Sequence, residues 1–570
     1  MELSYHYGAD AEPLVGSTIG AWIAEVSARF DAREALISIP QGIRWTYSEL
    51  WRHTGVLARA LIALDVGRGD RVGIWSTNNA EWVLLQLATA RIGAVLVNVN
   101  PAWKETELEY GLTRGQVTTL FLIPSFQSSA YEQTITELCP ELLADGDSRC
   151  SRVPGLRHVV IYDPVRASET APRGGRLDTW PDVLAGAETV SEKRLRERED
   201  ELDFDDPINI QFTSGTTGRP KAVLLTHHNL LNNALLSGGL LDIGPEDRVC
   251  VPVPFYHCFG MILANLLALA RGAALVIPSE HFDAGATLRA IQDERCTALH
   301  GVPTMFIEQL EHPARAELDL SSLRTGIMAG APCPPELVRR VMGDMGCSDI
   351  RIGYGMTEVS PLSHLTRKGD SIRRQTETVG TTLPHLEVKV VDVDTGRVVP
   401  HGKQGEVCFR GYQVMREYLG DSVATADAID KSGWLNSGDL GVMEADGYLS
   451  ITGRSKDMIV RGGENLYPAE IEAFLFEHPA IADVSVFGLP DERLGEEVGA
   501  WVRLAPGETP SAGDLRAWAR ERMAHHKVPR WIWFVDSFPE TVTGKVKKYE
   551  VREIAADWLE RDRREDAGGS

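Results

Sequence analysis

Apolar and polar positions alternate at Ile208, Ile210 and Phe212, a period of two that predicts a strand. The Leu-rich run after Asn229 predicts a helix, with Asn229 as its cap. Upstream, residues 15–68 read as mostly helical around a short hairpin near Ala35–Tyr47. Asp70–Trp75 and Ala94–Val99 are strand-like, and Glu81–Ile92 between them has helical spacing, which is a βαβ rhythm. Val249–Pro254 predicts another strand; Gly326–Pro332 predicts one that closes in small residues, with Pro334-Pro-Glu-Leu opening a helix after it. Leu386–Val391, Gly405–Arg410 and Leu449–Ile451 read as short strands separated by Gly and Asp turns, a small β-subdomain. The last hundred residues change rhythm: helix 468–477, strands 482–488 and 498–504, helix 512–524, strand 531–535, an α+β arrangement. Leu142–Val153 and Pro164–Arg176 read as surface loops, charge-dense Ser191–Asp206 as a solvated linker or short helix, and the chain from Arg563 as a fraying tail.

At 570 residues the chain exceeds one compact core, so two or more domains are expected. Its net charge of −23 argues against nucleic acid or an acidic membrane as a partner, so any site for a polyanion must gather its positive charge locally. The eight cysteines form no Cys-x-x-Cys pair, which predicts free thiols in a reducing compartment. The apolar runs near 83–99 and 261–278 are interrupted by Arg91 and by Arg271-Gly272, so no transmembrane segment is expected. The N-terminus shows neither a basic region before an apolar one nor an Arg-rich stretch, and a cytoplasmic location follows as the expectation.

Chemistry concentrates in a few stretches. Thr213-Ser-Gly-Thr-Thr-Gly-Arg-Pro-Lys221 packs two glycines, four hydroxyls and a lysine between two apolar runs. Gly215 and Gly218 let several N–H groups converge, the hydroxyls add donors and Lys221 adds charge, a combination that suits a polyphosphate better than a plain surface turn. It is not Gly-x-x-x-x-Gly-Lys-Ser/Thr, because Gly218 is followed by Arg-Pro-Lys. In Gly353-Tyr-Gly-Met-Thr-Glu358, Tyr354 offers a flat face, Thr357 a hydroxyl and Glu358 a hard oxygen of the kind Mg²⁺ prefers. Gly433-Trp-Leu-Asn-Ser-Gly-Asp439 ends in a carboxylate able to accept from two adjacent hydroxyls. Pro539-Glu-Thr-Val-Thr-Gly-Lys-Val-Lys-Lys548 places Lys545 behind Gly544 on a basic loop, an arrangement that can also be an idle solvated turn. His257, at a strand end, is as readily a structural hydrogen-bonder as a site residue.

Thr213–Lys221, Gly353–Glu358 and Gly453-Arg-Ser-Lys-Asp-Met-Ile-Val-Arg-Gly-Gly-Glu-Asn-Leu-Tyr-Pro-Ala-Glu-Ile-Glu472, in this order, resemble the motifs of the adenylate-forming superfamily. The wording of Asn209–Ser214, Tyr256-His-Cys, Arg410-Gly-Tyr and Gly453–Pro468 is similar to the medium-chain acyl-CoA synthetases of the family-member-2 type. The resemblance implies that Thr213, Ser214, Gly215, Thr216, Thr217, Gly218 and Lys221 hold the phosphates of ATP. It implies that Gly330, Ala331, Pro332 and Tyr354 hold adenine, and that Asp439 and Arg454 hold the ribose. Thr357 and Lys545 would reach the α-phosphate, Glu358 would bind Mg²⁺, and Gly462 and Gly463 would line the pantetheine path of coenzyme A. His257, Val302 and Gly355 would line the acid pocket, Gly355 leaving space where acetate-specific relatives carry Trp. Ala222 departs from the family's usual Gly, and a methyl there is compatible with a stiffer phosphate loop or with slower phosphate release.

The expected fold is α/β: a large N-terminal domain of mixed α/β sheets with a small β-subdomain (1–455), then a smaller mobile α+β domain (456–570) hinged at Lys456. The implied activity is a fatty acid–CoA ligase that uses ATP, Mg²⁺ and coenzyme A, and takes a carboxylic acid, a medium- or long-chain fatty acid, by way of an acyl-adenylate. Two other readings stand beside it, an enzyme that loads a carrier-protein pantetheine and a silent nucleotide sensor. The second has no need of Lys545. A homodimer is compatible with the sequence.

Overall fold

The computed structural model describes residues 2–9, 12–143, 150–165, 177–213, 220–331, 333–454, 456–462, 464–491, 493–540 and 546–568. Two large sheets carry the first part of the chain. The eight-stranded one runs, edge to edge, Glu417–Tyr418, Lys221–Thr226, Pro207–Thr213, Val95–Asn98, Arg71–Trp75, Val117–Leu122, His158–Ile161 and Leu177–Thr179. The nine-stranded one contains Asp349–Gly355, Thr325–Met328, Ala298–Leu299, Arg248–Cys250, Ala274–Ile277 and the expected hairpin, Glu34–Ser38 with Ile43–Thr46. Helix Ala80–Ile92 has no solvent face; every residue in it is buried, as suits a helix enclosed by apolar layers. One apolar cluster, including Ile74, Val97, Leu230 and Val388, links these layers with a five-stranded β-sheet built on Leu386–Val391, Gln404–Gly411, Leu435–Met443 and Leu449–Arg454.

The last sheet is separate. Ile481–Asp491 and Gly495–Leu504 form its long antiparallel pair, flanked by the hairpin Ile459–Arg461/Glu464–Leu466 and by the parallel strand Trp531–Phe534. It has apolar clusters of its own, one around Ile459, Val486 and Leu515, the other around Phe487, Trp501 and Val551.

Local chemistry fixes the element starts. Helix Tyr47–Ala63 begins with a capping box of Thr46 and Glu49, and helix Ala512–Arg520 with one of Ser511 and Asp514. Three expectations are corrected and one alternative is settled. Helix His227–Leu240 is capped by Thr226, with Asn229 three residues inside and closing the box, because the strand before it ends only at Thr226. Of the two readings of Ser191–Asp206 the structure shows the short helix, Glu192–Asp200, capped by Ser191. The polar C-terminus continues as helix Lys548–Gly568 rather than fraying from Arg563. Cys139 and Cys150 are joined as a disulfide, whereas Cys250, Cys258, Cys296, Cys333, Cys347 and Cys408 are free. Both partners of the bridge are fully buried beside helix Tyr131–Leu138, where the fold brings two sulfurs together that sequence spacing does not pair. Among the described residues no helix is long and apolar enough to cross a membrane.

Candidate active site

The phosphate-loop stretch connects two paired strands: Thr213 sits opposite Lys221, and Phe212 opposite Ala222. Ser214, Gly215, Thr216, Thr217 and Gly218 lie outside the described residues, as do Pro332, Gly463 and Lys545. Ala222 is within the strand, buried, its carbonyl accepting from Leu419 N at 2.8 Å. Its methyl packs within the sheet, and the loop it was expected to affect lies outside the described residues.

Lys221 directs its ammonium at an aromatic face, with Nζ 4.5 Å from the ring centroid of Tyr418. The hydroxyl of Tyr418 donates to Glu358 Oε1 at 2.8 Å. Glu358 follows strand Asp349–Gly355 on the single turn Thr357–Val359 and is only 5% exposed. Burial raises its carboxyl above the ordinary range, while the Tyr418 hydroxyl and the charges of Lys221 and Arg454 act in the opposite direction. A buried carboxylate in this condition gains from a cation. Among the described residues no group of three or more His, Cys, Asp or Glu could hold a metal ion. Magnesium, however, is commonly held by one or two carboxylates together with phosphate and water oxygens, and Glu358 fits that donor set.

Tyr354 is bonded to a second carboxylate, Asp439. Asp439 and Arg454 are opposite one another on adjacent strands. Arg454 Nε donates to Asp439 Oδ1 at 3.0 Å, and the Tyr354 hydroxyl donates to Oδ2 at 2.7 Å. Ser437 steadies the turn: its hydroxyl donates to Val407 O at 2.6 Å and accepts from Asp439 N at 3.0 Å. Burial, then Asp439, pushes the Tyr354 phenol well up, so it stays a donor.

Thr357 and His257 meet through a residue that the sequence did not single out. Cys258 Sγ lies 3.5 Å from Thr357 Oγ1 and 3.6 Å from His257 Nδ1. Burial pushes this thiol up to about 12, which makes it a packing group and not a nucleophile. His257 also caps a turn, accepting from Phe259 N at 3.3 Å. Val302 and Gly330 are neighbours: a Cβ on Gly330 would lie 3.2 Å from Val302 Cγ1, and Gly330 has φ +90°, a conformation that favours glycine. Ala331 follows it.

Gly355 needs a correction. A Cβ there would stand 1.9 Å from the carbonyl oxygen of Pro361. Glycine at 355 permits strand Leu362–Leu365 to return against it; it does not by itself open room for an acyl chain. Lys456 is largely exposed, and partial desolvation, followed by the charges of Lys221 and Arg454, lowers its ammonium. Gly462, φ +62°, turns the hairpin Ile459–Arg461/Glu464–Leu466 and donates its N–H to Leu494 O at 2.7 Å. Tyr418 is the functional candidate that sequence reasoning missed. It lies in a two-residue strand some sixty positions from Glu358, and no local pattern marks it.

Two α/β sheets, a β-sheet and a final α+β unit, with these groups gathered among them, define the adenylate-forming class of fold. The AMP-binding enzyme model matches residues 23–419 and the AMP-binding enzyme C-terminal domain model residues 470–545. The chain belongs to the AMP-binding enzyme family. YngI of Bacillus subtilis is 44% identical over 542 residues, 95% of this chain and 97% of that one. The mitochondrial medium-chain acyl-CoA ligase ACSF2 of Danio rerio is 42% identical over 554 residues, 96% of this chain and 90% of that one. The crystal structure of ATP-bound MatB from Rhodopseudomonas palustris superposes with a TM-score of 0.81 at 27% identity, covering 94% of this chain and 99% of that one.

Proposed function

We propose that this chain is an ATP-dependent, AMP-forming acid–thiol ligase that joins a fatty acid to coenzyme A through an acyl-adenylate. The observation that carries this reading is Glu358, buried and bonded to the Tyr418 hydroxyl, with Lys221 over the face of the same ring at the foot of the polyphosphate-type loop. The family and the acyl-CoA ligase relatives support the reaction, and the name of the Danio rerio relative points to a medium-chain acid.

In the first step a carboxylate oxygen of the acid attacks the α-phosphorus of ATP, the bond to pyrophosphate breaks, and pyrophosphate leaves. Two anions must meet, so repulsion dominates the barrier. Lys221, the loop from Thr213 to Gly218 and Lys545 lower it as preorganised positive groups and donors. Thr357 donates to the α-phosphate; Asp439 and Arg454 hold the ribose; Tyr354 and Gly330-Ala-Pro332 hold adenine, with Val302 beside Gly330 at the acid. Magnesium held by Glu358 would neutralise charge on the departing phosphates. In the second step residues 456–570 turn about Lys456, which withdraws Lys545 and presents Gly462 and Gly463 to the pantetheine arm. The thiol sulfur attacks the acyl carbon, AMP leaves, and the thiol proton passes to solvent.

Lys545→Ala separates the steps. Pyrophosphate release with ATP and a panel of fatty acids should fall by about 10²–10³ or more, while thioester formation from supplied acyl-adenylate continues. Equal loss of both half-reactions refutes the role of Lys545. Wild-type protein that makes no AMP with any acid refutes the ligase reading.

A further inference from the structure

Helix Glu105–Arg114 supplies no residue to the site described above, yet it is bonded to both halves of the Lys221–Tyr418 pair at that site's centre. Just before the helix, the Trp103 ring meets Phe212 edge to face with centroids 5.0 Å apart. Gly111 permits this approach, since a Cβ there would stand 2.1 Å from Trp103 Cζ3. Phe212 is the residue opposite Ala222, so the helix is set against the two strands that flank the phosphate loop.

Two polar contacts leave the helix near its C-terminus. The hydroxyl of half-buried Tyr110 donates to Pro220 O at 3.0 Å. Pro220 stands directly before Lys221, and a peptide group is planar, so this bond orients the unit from which Lys221 begins. Arg114 Nη2 lies 3.6 Å from Asp421 Oδ2, and the same guanidinium lies against Gly420. Gly420 and Asp421 close the turn after Tyr418, with Asp421 N donating to Tyr418 O at 3.0 Å. One helix therefore holds the residue before Lys221 and the turn after Tyr418, the ring whose hydroxyl reaches Glu358. The helix is braced in turn. Leu108 and Leu112 are fully buried, and Arg152, two residues past the Cys139–Cys150 bridge, donates to both Glu105 and Glu109. A group carried on an element fixed in this way is suited to hold another in place.

We propose that Tyr110 is a positioning residue for the adenylate-forming step: its hydroxyl fixes the Pro220–Lys221 peptide so that the Lys221 ammonium is presented to the phosphates of ATP, while Arg114 seats the Tyr418 turn. The proposal rests on the ligase reading, because Tyr110 acts through the Lys221 of that reading and touches no substrate itself. Placement matters at such a point, since a shift of about 1 Å in a charge-stabilising group can cost on the order of 10² in rate.

Tyr110→Phe removes the hydroxyl and keeps the ring. At saturating ATP and fatty acid, kcat for pyrophosphate release should fall about tenfold, the scale of one lost hydrogen bond. Thioester formation from supplied acyl-adenylate, which carries no β- or γ-phosphate, should stay at the wild-type rate. In Lys221→Ala protein the same change should cost less than about twofold, because the group it acts through is gone. Arg114→Gln reads the other contact; with its longer, partly solvated ion pair it should give a loss of about threefold in the same step, again absent without Lys221. Circular dichroism melting curves show whether each variant is folded. A helix that only supports the fold would slow both half-reactions, or would cost the same with and without Lys221, and either result overturns the assignment. So does a folded Tyr110→Phe protein that releases pyrophosphate as fast as wild type, an outcome that leaves the ligase reading standing. Wild-type protein that releases none overturns both.

Discussion

The part of the chain up to Arg454 and the part after it handle charge in opposite ways. In the first, the two carboxylates that would face ATP are buried and bonded, Glu358 to Tyr418, and Asp439 to the half-buried Tyr354 and to the exposed Arg454. In the second, the cations are kept at the solvent boundary, with Lys456, Arg493 and Arg520 exposed. Buried groups act strongly because little water screens them, but they must not move, since each displacement would leave a desolvated charge unpaired. Exposed cations act more weakly and can be relocated at small cost. A fixed nucleotide site and a domain proposed to swing need these two different solutions.

The sharpest way to break this contrast is to neutralise the buried carboxylate. Glu358→Gln keeps the shape and a hydrogen-bond acceptor for Tyr418. Pyrophosphate release should nonetheless fall by about 10²–10³, the usual cost of one preorganised electrostatic contact. Measured by steady-state pyrophosphate assay at saturating ATP, a loss of only a few-fold would mean that Glu358 is a structural acid.

The second prediction concerns stability in acid. His227, His300 and His364, all in the first part, are fully buried, and burial lowers them to about 4, about 4 and about 3. His478, His525 and His526, in the second part, are not buried. A histidine lowered in the folded state is neutral there and protonates in the unfolded chain first. Its contribution is therefore present above an unfolded value of about 6.5 and is lost as pH falls from there towards the folded value. Glu81 and Glu358, raised by burial, oppose this trend, so the clean readout is a variant. His227→Asn keeps an acceptor for Ile19 N, which bonds to Nδ1 at 3.1 Å, and removes the titration. Between neutral pH and about pH 5 it should lose about 2 kcal/mol less unfolding free energy than wild type. Urea titrations at both pH values decide this, and identical pH slopes would contradict it.

The pattern of what the sequence reveals follows the same division. Periodicity located the strands 208–212 and 70–75, the helix after 226 and the α+β rhythm of the last hundred residues, because each is set by near neighbours along the chain. The pairing of Asp439 with Arg454 lies between two motifs that the sequence had already marked. Tyr418, Cys258 and the Cys139–Cys150 bridge were not legible, because their partners come from elements whose approach depends on the whole sheet order. Gly355 misled for a related reason: absence of a side chain looks like space in a sequence, and only the returning strand shows that the space is already filled by backbone.

The smallest effect should come from salt, and it tests whether exposure matters as argued. Raising ionic strength from about 0.1 M to about 1 M shortens the Debye length from about 10 Å to about 3 Å. Charges at the solvent boundary are screened by this change, whereas those in a water-poor site are screened much less. KM for coenzyme A, which carries phosphates, should therefore rise several-fold across the series, by more than KM for pantetheine, which carries none. The rate of pyrophosphate release at saturating ATP should move least, because Glu358 and Asp439 are themselves buried and hydrogen-bonded to Tyr418 and Tyr354. If the two half-reactions respond to salt in parallel, then burial does not distinguish the electrostatics of the two parts. The division of labour between a fixed, desolvated nucleotide site and a solvent-facing thiol site would then have to be given up.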